Sequence, residues 1–137
     1  MRARGLKSRV LHAIGAVLIA AVRTGAHHSF SADYDATAMV TLKGVVSKVE
    51  WSNPHVHIYV DVKDESGKVT TWDMEGNPPT VLIRRGFTPD VVNVGDTITI
   101  TGFRARDNST RASRSEVTTE DGMKYNFGGA GEYQILR

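Results

Sequence analysis

Polar and apolar positions alternate most regularly between residues 55 and 62. Val56, Ile58, Val60 and Val62 fall on one side, and His55, His57, Tyr59 and Asp61 on the other. Strand side chains alternate with period two, so the pattern predicts a strand from about His55 to Lys63 with one apolar and one polar face. Ser52-Asn53-Pro54 turns the chain ahead of it, where Pro54 has no N–H to give a ladder. Asp64-Glu65-Ser66-Gly67-Lys68 then reads as a hairpin connection. Asp favours the first position of a type I turn, and Gly67 supplies the positive φ of the bulge that follows. The turn sets the register of the third strand. With Asp64 opposite Lys68, Val62, Val60 and Ile58 face Thr70, Trp72 and Met74 on the apolar side. Asp61, Tyr59 and His57 face Thr71, Asp73 and Glu75 on the polar side.

The same periodicity orders the rest of the chain. Val40 to Trp51 reads as a long first strand with β-branched Val45, Val46 and Val49. Gly44 and the apolar pair Val45-Val46 interrupt the alternation and predict a bulge or bend, which lets one strand serve two sides of a small barrel. Asn77 as N-cap, Pro78 at the first helical position and Gly86 at the end predict a two-turn helix. Thr88-Pro89 repeats the signal for one further turn. Thr97 to Ala105 reads as a fourth strand, Arg106 to Arg114 as a polar loop and Ser115 to Thr119 as a fifth strand. Glu120-Asp121-Gly122 is a second hairpin turn, with Met123 to Phe127 returning. The expected class is all-β: a small five-stranded antiparallel barrel like the OB-fold, with one short helix between strands three and four. A small β-sandwich is the competing arrangement.

The N-terminus breaks this pattern and changes the reading of charge. Arg2, Arg4, Lys7 and Arg9 precede a run of 13 nearly all apolar residues, Val10 to Val22, and then Thr24-Gly25-Ala26. That is the layout of a secretory signal cleaved near Ala26. The run is shorter than the roughly 20 residues of a transmembrane helix, so no stable span is expected after cleavage. The expected divisions are therefore a signal at 1–26, an extended arm at 27–39, a β domain at 40–127 and a Gly-rich linker with tail at 128–137. The expected location is periplasmic or secreted. Of 17 basic and 15 acidic side chains, the signal takes five basic and no acidic ones. The remaining 12 and 15 leave a net charge of −3, so the basic character of the whole chain does not argue for nucleic acid. The chain has no Cys, so packing alone must hold the domain.

Candidate chemistry gathers on the polar face of strands two and three. His55 and His57 stand about 7 Å apart on one strand face. Cleavage after Ala26 would leave His27 as the N-terminus, whose amine and imidazole can chelate copper with His28 adjacent and His55 and His57 within reach of a folded arm. Zinc held by His55, His57 and Glu75 is the alternative. An ordinary cross-strand pair of His57 with Glu75 explains the same residues without a ligand. Trp51, Tyr59, Asp73, Arg104 and Arg106 complete the candidate ligand face. Arg104, Arg106, Arg111 and Arg114 can grip an anion, or else form a solvated loop balanced by Asp107 and Glu116. With no Cys and no Gly-x-Ser-x-Gly motif, no catalytic constellation is evident. The residues point to a non-enzymatic module for a small ligand or metal ion, or to an accessory module that docks an exported protein partner; a hydrolytic or redox enzyme with a metal cofactor, using His57 beside Glu75 as general base, is the third alternative.

Taken together, the signal segment, His27-His28-Ser29-Phe30, Asn53-Pro54-His55, Leu82-Ile83-Arg84-Arg85-Gly86-Phe87 and Val94-Gly95-Asp96 resemble a family of small exported bacterial proteins of unknown function, over about residues 26–127. The resemblance implies export and a compact β domain, and it brings no activity. It also implies an aromatic at position 57, where this chain has His57.

Overall fold

Seventeen consecutive residues, Tyr34–Glu50, form the first strand, β1, and the other strands assemble on its two edges. A computed structural model describes residues 30–128. The expected signal, His27, His28 and the tail after Gly128 lie outside the described residues. A single helical turn, α1 (Phe30–Asp33), leads into β1. It is followed by β2 (His57–Lys63), β3 (Val69–Glu75), the short helix α2 (Pro79–Arg84), β4 (Thr97–Ala105), β5 (Arg111–Thr118) and β6 (Lys124–Asn126). The protein is predominantly β.

The β2–β3 register is the one the hairpin turn predicts. His57 lies opposite Glu75, Ile58 opposite Met74, Tyr59 opposite Asp73 and Val60 opposite Trp72. The cause is local. The Asp64 carboxylate accepts from the Ser66 N–H, the Ser66 hydroxyl and the Lys68 N–H, and Gly67 takes φ 88°. Few residues other than Gly reach that φ without strain, so the turn cannot slip and the faces stay assigned.

β1 serves two partners. It pairs with β4 from Tyr34 opposite Ala105 to Val45 opposite Thr97, then with β2 from Val45 opposite Asp61 to Glu50 opposite His57. The change of partner falls where the alternation breaks. The ladder is irregular between Val46 and Lys48, Val46 is buried and Val45 is exposed. β4 continues to β5, and β5 meets β3 in parallel from Asp73 opposite Arg111 to Glu75 opposite Ser113. The pairings therefore run β1-β2-β3-β5-β4 and return to β1, while β6 is added to β5. Ile58, Val60, Met74, Ile98, Ile100 and Val117 fill the interior, with Leu82, Phe87 and Phe127 buried among them.

Several expected boundaries move, each for a physical reason. β1 begins at Tyr34 instead of Val40, because Tyr34 is buried and paired with Ala105, which turns part of the expected arm into strand. β2 begins at His57 instead of His55. The α2 cap is Pro78, with no side-chain cap, and Pro79 takes the first turn. Asn77 is held by its backbone instead, donating to the Phe127 carbonyl and accepting from the Val56 N–H. Residues 88–92 form turns and add no helical turn. β5 begins at Arg111, so the expected polar loop ends early. Its pairing with β3 is parallel, and the sheet has six strands where five antiparallel ones were expected. The short run Arg111-Ala112-Ser113 lacks clear alternation. Long-range pairing makes it a strand, with Ala112 and Ser113 buried. Among the described residues, no helix is long and apolar enough to cross a membrane.

Candidate functional site

The registers of β1, β2 and β3 align their polar positions in rows. Glu50, His57 and Glu75 form one row across the three strands, and Lys48, Tyr59 and Asp73 form the next. Each row alternates with a buried one, so the six side chains share one face. His55 stands just ahead of β2, after the cis Asn53-Pro54 bond, and its ring reaches the same surface.

The hydrogen bonds run diagonally between these rows. His57 Nδ1 meets Asp73 Oδ1 at 2.7 Å. Its direct partner across the strands, Glu75, is taken by His55 Nδ1 through Oε1 and by the Tyr34 hydroxyl through Oε2, at 2.5 Å. The expected His57–Glu75 pair is thus replaced by two pairs, His57–Asp73 and His55–Glu75. Sheet twist moves one diagonal neighbour closer, and long side chains span that diagonal easily. Next to them, Tyr59 donates to Glu50 Oε2 at 2.9 Å, Lys48 is ion-paired with Glu50 Oε1, and the Lys48 ammonium lies 5.1 Å from the Tyr59 ring centre.

A carboxylate only accepts hydrogen bonds, so the ring nitrogen facing it carries the proton. Asp73 and Glu75 therefore place the proton of each neutral imidazole on Nδ1. Nε2 is left with its lone pair as the group each ring can offer a ligand. The hydrogen bond that His57 donates to Asp73 raises the His57 pKa above its ordinary 6.5 against the opposing effect of partial burial, with Asp73, Glu75 and Glu50 charge adding to it. Burial, then the bond to Glu50, pushes Tyr59 up to about 12. Burial and the bond to Glu75 also push Tyr34 well up, so both phenols stay protonated donors. Glu50 is held below the usual carboxylate range, first by Lys48 and then by Tyr59.

The raised His57 value has a direct consequence for stability. The folded chain holds this proton more tightly than the unfolded chain. The stabilisation is therefore complete below pH about 6.5 and is lost as pH rises through the folded value. Asp73→Asn should cost on the order of 1 kcal/mol at pH 5.5 and clearly less at pH 8.5, since the pair is partly solvated. Urea unfolding of both proteins at the two pH values measures this. An equal cost at both would exclude a protonated His57–Asp73 pair.

The structure brings together His55, His57, Tyr59, Asp73 and Glu75 of the expected face, and it places the other expected residues elsewhere. The Trp51 ring lies parallel to Phe87 at 6.2 Å and packs against the core. The Arg104 guanidinium sits 5.5 Å from the Trp72 ring centre, and its Nη2 donates to the Asn108 carbonyl. Arg106 donates from Nε to the Ser31 carbonyl, which ties α1 to the end of β4. Arg111 is bound to Asp107. These arginines serve loops and the N-terminal segment. His27 and His28 lie outside the described residues. Tyr34, Lys48 and Glu50 join the site without having been expected there. Glu50 could have been found by carrying the strand-two register across to strand one. Nothing local marks Tyr34, which lies 41 residues from Glu75. Among the described residues, no three His, Cys, Asp or Glu donors converge as a metal site would require.

The model of a family of unknown function, DUF6152, matches residues 16–114, most of the chain. No curated protein and no solved structure matches. The chain belongs to the DUF6152 family, a membership that brings no activity with it.

Proposed function

We propose that this chain is an exported, non-enzymatic binding module that takes its ligand on the polar face of β2 and β3, with Nε2 of His55 and His57 as the contact atoms. The observation that carries this reading is the pairing of both Nδ1 atoms with carboxylates, His55 with Glu75 and His57 with Asp73. Carboxylates behind imidazoles orient the rings and make Nε2 more basic, as in many metal sites. The ligand class favoured is a transition-metal ion that accepts imidazole, copper or zinc. In this reading Glu75 is an outer orienting group, not the zinc ligand suggested by the pattern of residues alone. Only two imidazoles would come from the face, so water or the N-terminal segment would complete the ion's shell.

The ring of pairings β1-β2-β3-β5-β4, with α2 between β3 and β4, supports an OB-like barrel to which β6 is appended. In such barrels the surface of strands two and three commonly binds the ligand. The signal-like segment 1–26 supports export to the periplasm or beyond. A net charge of −3 without that segment disfavours nucleic acid.

Titration of Zn(II) and Cu(II) into the exported protein, its N-terminus verified by mass spectrometry, tests the reading. Binding at micromolar concentration or tighter is expected, with a loss of at least about tenfold in a His55→Ala/His57→Ala variant. No binding, or no effect of the double substitution, would sink it. The second reading is an accessory module that docks an exported or membrane protein, for which exposed Met39, Val45, Val69 and Val94 offer apolar contacts. Scattered apolar residues are common on ordinary surfaces, so this reading ranks below the first.

A further inference from the structure

Glu75 has two carboxylate oxygens, and each has a different partner. Oε1 faces His55 Nδ1, and Oε2 accepts from the Tyr34 hydroxyl at 2.5 Å. Tyr34 is itself fixed. It is 5% exposed, its ring stacks on Phe30 at 5.5 Å, and its backbone pairs with Ala105 in β4. The segment before it is tied down as well, since Arg106 donates to the Ser31 carbonyl and the Arg106 N–H to the Asp33 carbonyl. The hydroxyl is thus presented to Glu75 from a rigid direction.

We infer that Tyr34 is a positioning residue for the candidate site: by holding Oε2 of Glu75 it aims Oε1 at His55 and fixes that ring with its proton on Nδ1 and its Nε2 lone pair outward. A carboxylate held at only one oxygen can rotate about its last torsion, which is broad for Glu. Holding both oxygens removes that freedom. His57 has a separate anchor in Asp73 and does not depend on Tyr34. The N-terminal segment therefore does more than cover the barrel, because it reaches one of the two imidazoles through a single carboxylate. The role in ligand binding rests on the function proposed above, whereas the effect on the His55 ring does not.

The test uses the full chain and Tyr34→Phe, which deletes one oxygen and keeps the buried ring. Long-range 1H–15N spectra of the histidine side chains at pH 8 report which nitrogen carries the proton, with no ligand present. The wild type should show His55 protonated on Nδ1. In Tyr34→Phe the His55 signals should move toward a mixture of tautomers while those of His57 stay in place. Zn(II) affinity should fall measurably, by less than the roughly 10- to 100-fold expected for losing Glu75, the direct outer-shell partner of His55. A wild-type His55 protonated on Nε2 would overturn the inference without any variant. So would unchanged His55 signals in Tyr34→Phe, equal movement of His57, or a shifted tautomer with unchanged Zn(II) affinity. Should the wild type bind no metal, the metal-binding reading fails, and the tautomer measurement still decides whether Tyr34 fixes His55.

Discussion

Phe87→Ala should destabilise the domain by about 3–5 kcal/mol, the range for emptying a buried aromatic site. Phe87 is 2% exposed and lies just after α2, where its N–H donates to the Leu82 carbonyl. Its ring stacks on Trp51 at the end of β1, meets Tyr125 of β6 edge-on at 5.6 Å and lies tilted against Phe127 at 5.2 Å. One side chain thus joins the α2 loop, the residue that follows β1, and β6. Domains of this size are stable by about 5–15 kcal/mol in total, so the loss would be a large fraction. Urea or guanidinium unfolding followed by Trp fluorescence measures it, with Ile83→Ala as a half-exposed comparison expected to cost far less. A loss below about 1 kcal/mol for Phe87→Ala would mean that the aromatic cluster is not closed as described.

Gly44→Ala should also destabilise, by about 1–3 kcal/mol or more, the cost of forcing extra atoms into a filled site. A Cβ at Gly44 would stand 2.4 Å from the Asp61 carbonyl oxygen and 2.8 Å from Val60 Cγ1. The first of these is backbone, which cannot rotate away. Strand propensity predicts the opposite sign, because replacing Gly in a strand normally gains about 0.5–1 kcal/mol. The two effects are therefore separable by direction alone. Hydrogen exchange should locate the damage where β1 passes from β4 to β2, around Val45 and Asp61, next to the polar face. A stabilised Gly44→Ala protein would show that β1 and β2 do not approach this closely.

Much of the site was legible before the fold. The turn Asp64–Lys68 and the alternation on either side fixed which residues of β2 and β3 share a face, because a hairpin register is decided within a few residues. The break at Gly44-Val45-Val46 likewise announced the change of partner in β1. The hydrogen-bond pairing on the polar face was not legible. Period-two reasoning sets His57 opposite Glu75 and is correct for the Cα positions. The twist of the sheet then decides which diagonal the side chains follow, and twist is a property of the assembled strands.

The remaining gaps have one cause. Arg111-Ala112-Ser113 and Tyr34 carry no local signature, since neither lies in a clear alternating run. They become strand only because β3 and β4 offer them edges. By itself, the sequence determined the β class, the two-sided hairpin and the His-and-carboxylate face, all of which depend on neighbours close along the chain. Only the tertiary structure decided that Glu75 serves His55 and Tyr34, that Asp73 serves His57, and that Trp51, Arg104 and Arg106 are spent on packing and loops. Apart from the bond from Arg104 to the Asn108 carbonyl, four positions on, those contacts join residues 16 to 75 positions apart, and closing such distances depends on the whole barrel, not on any segment of it.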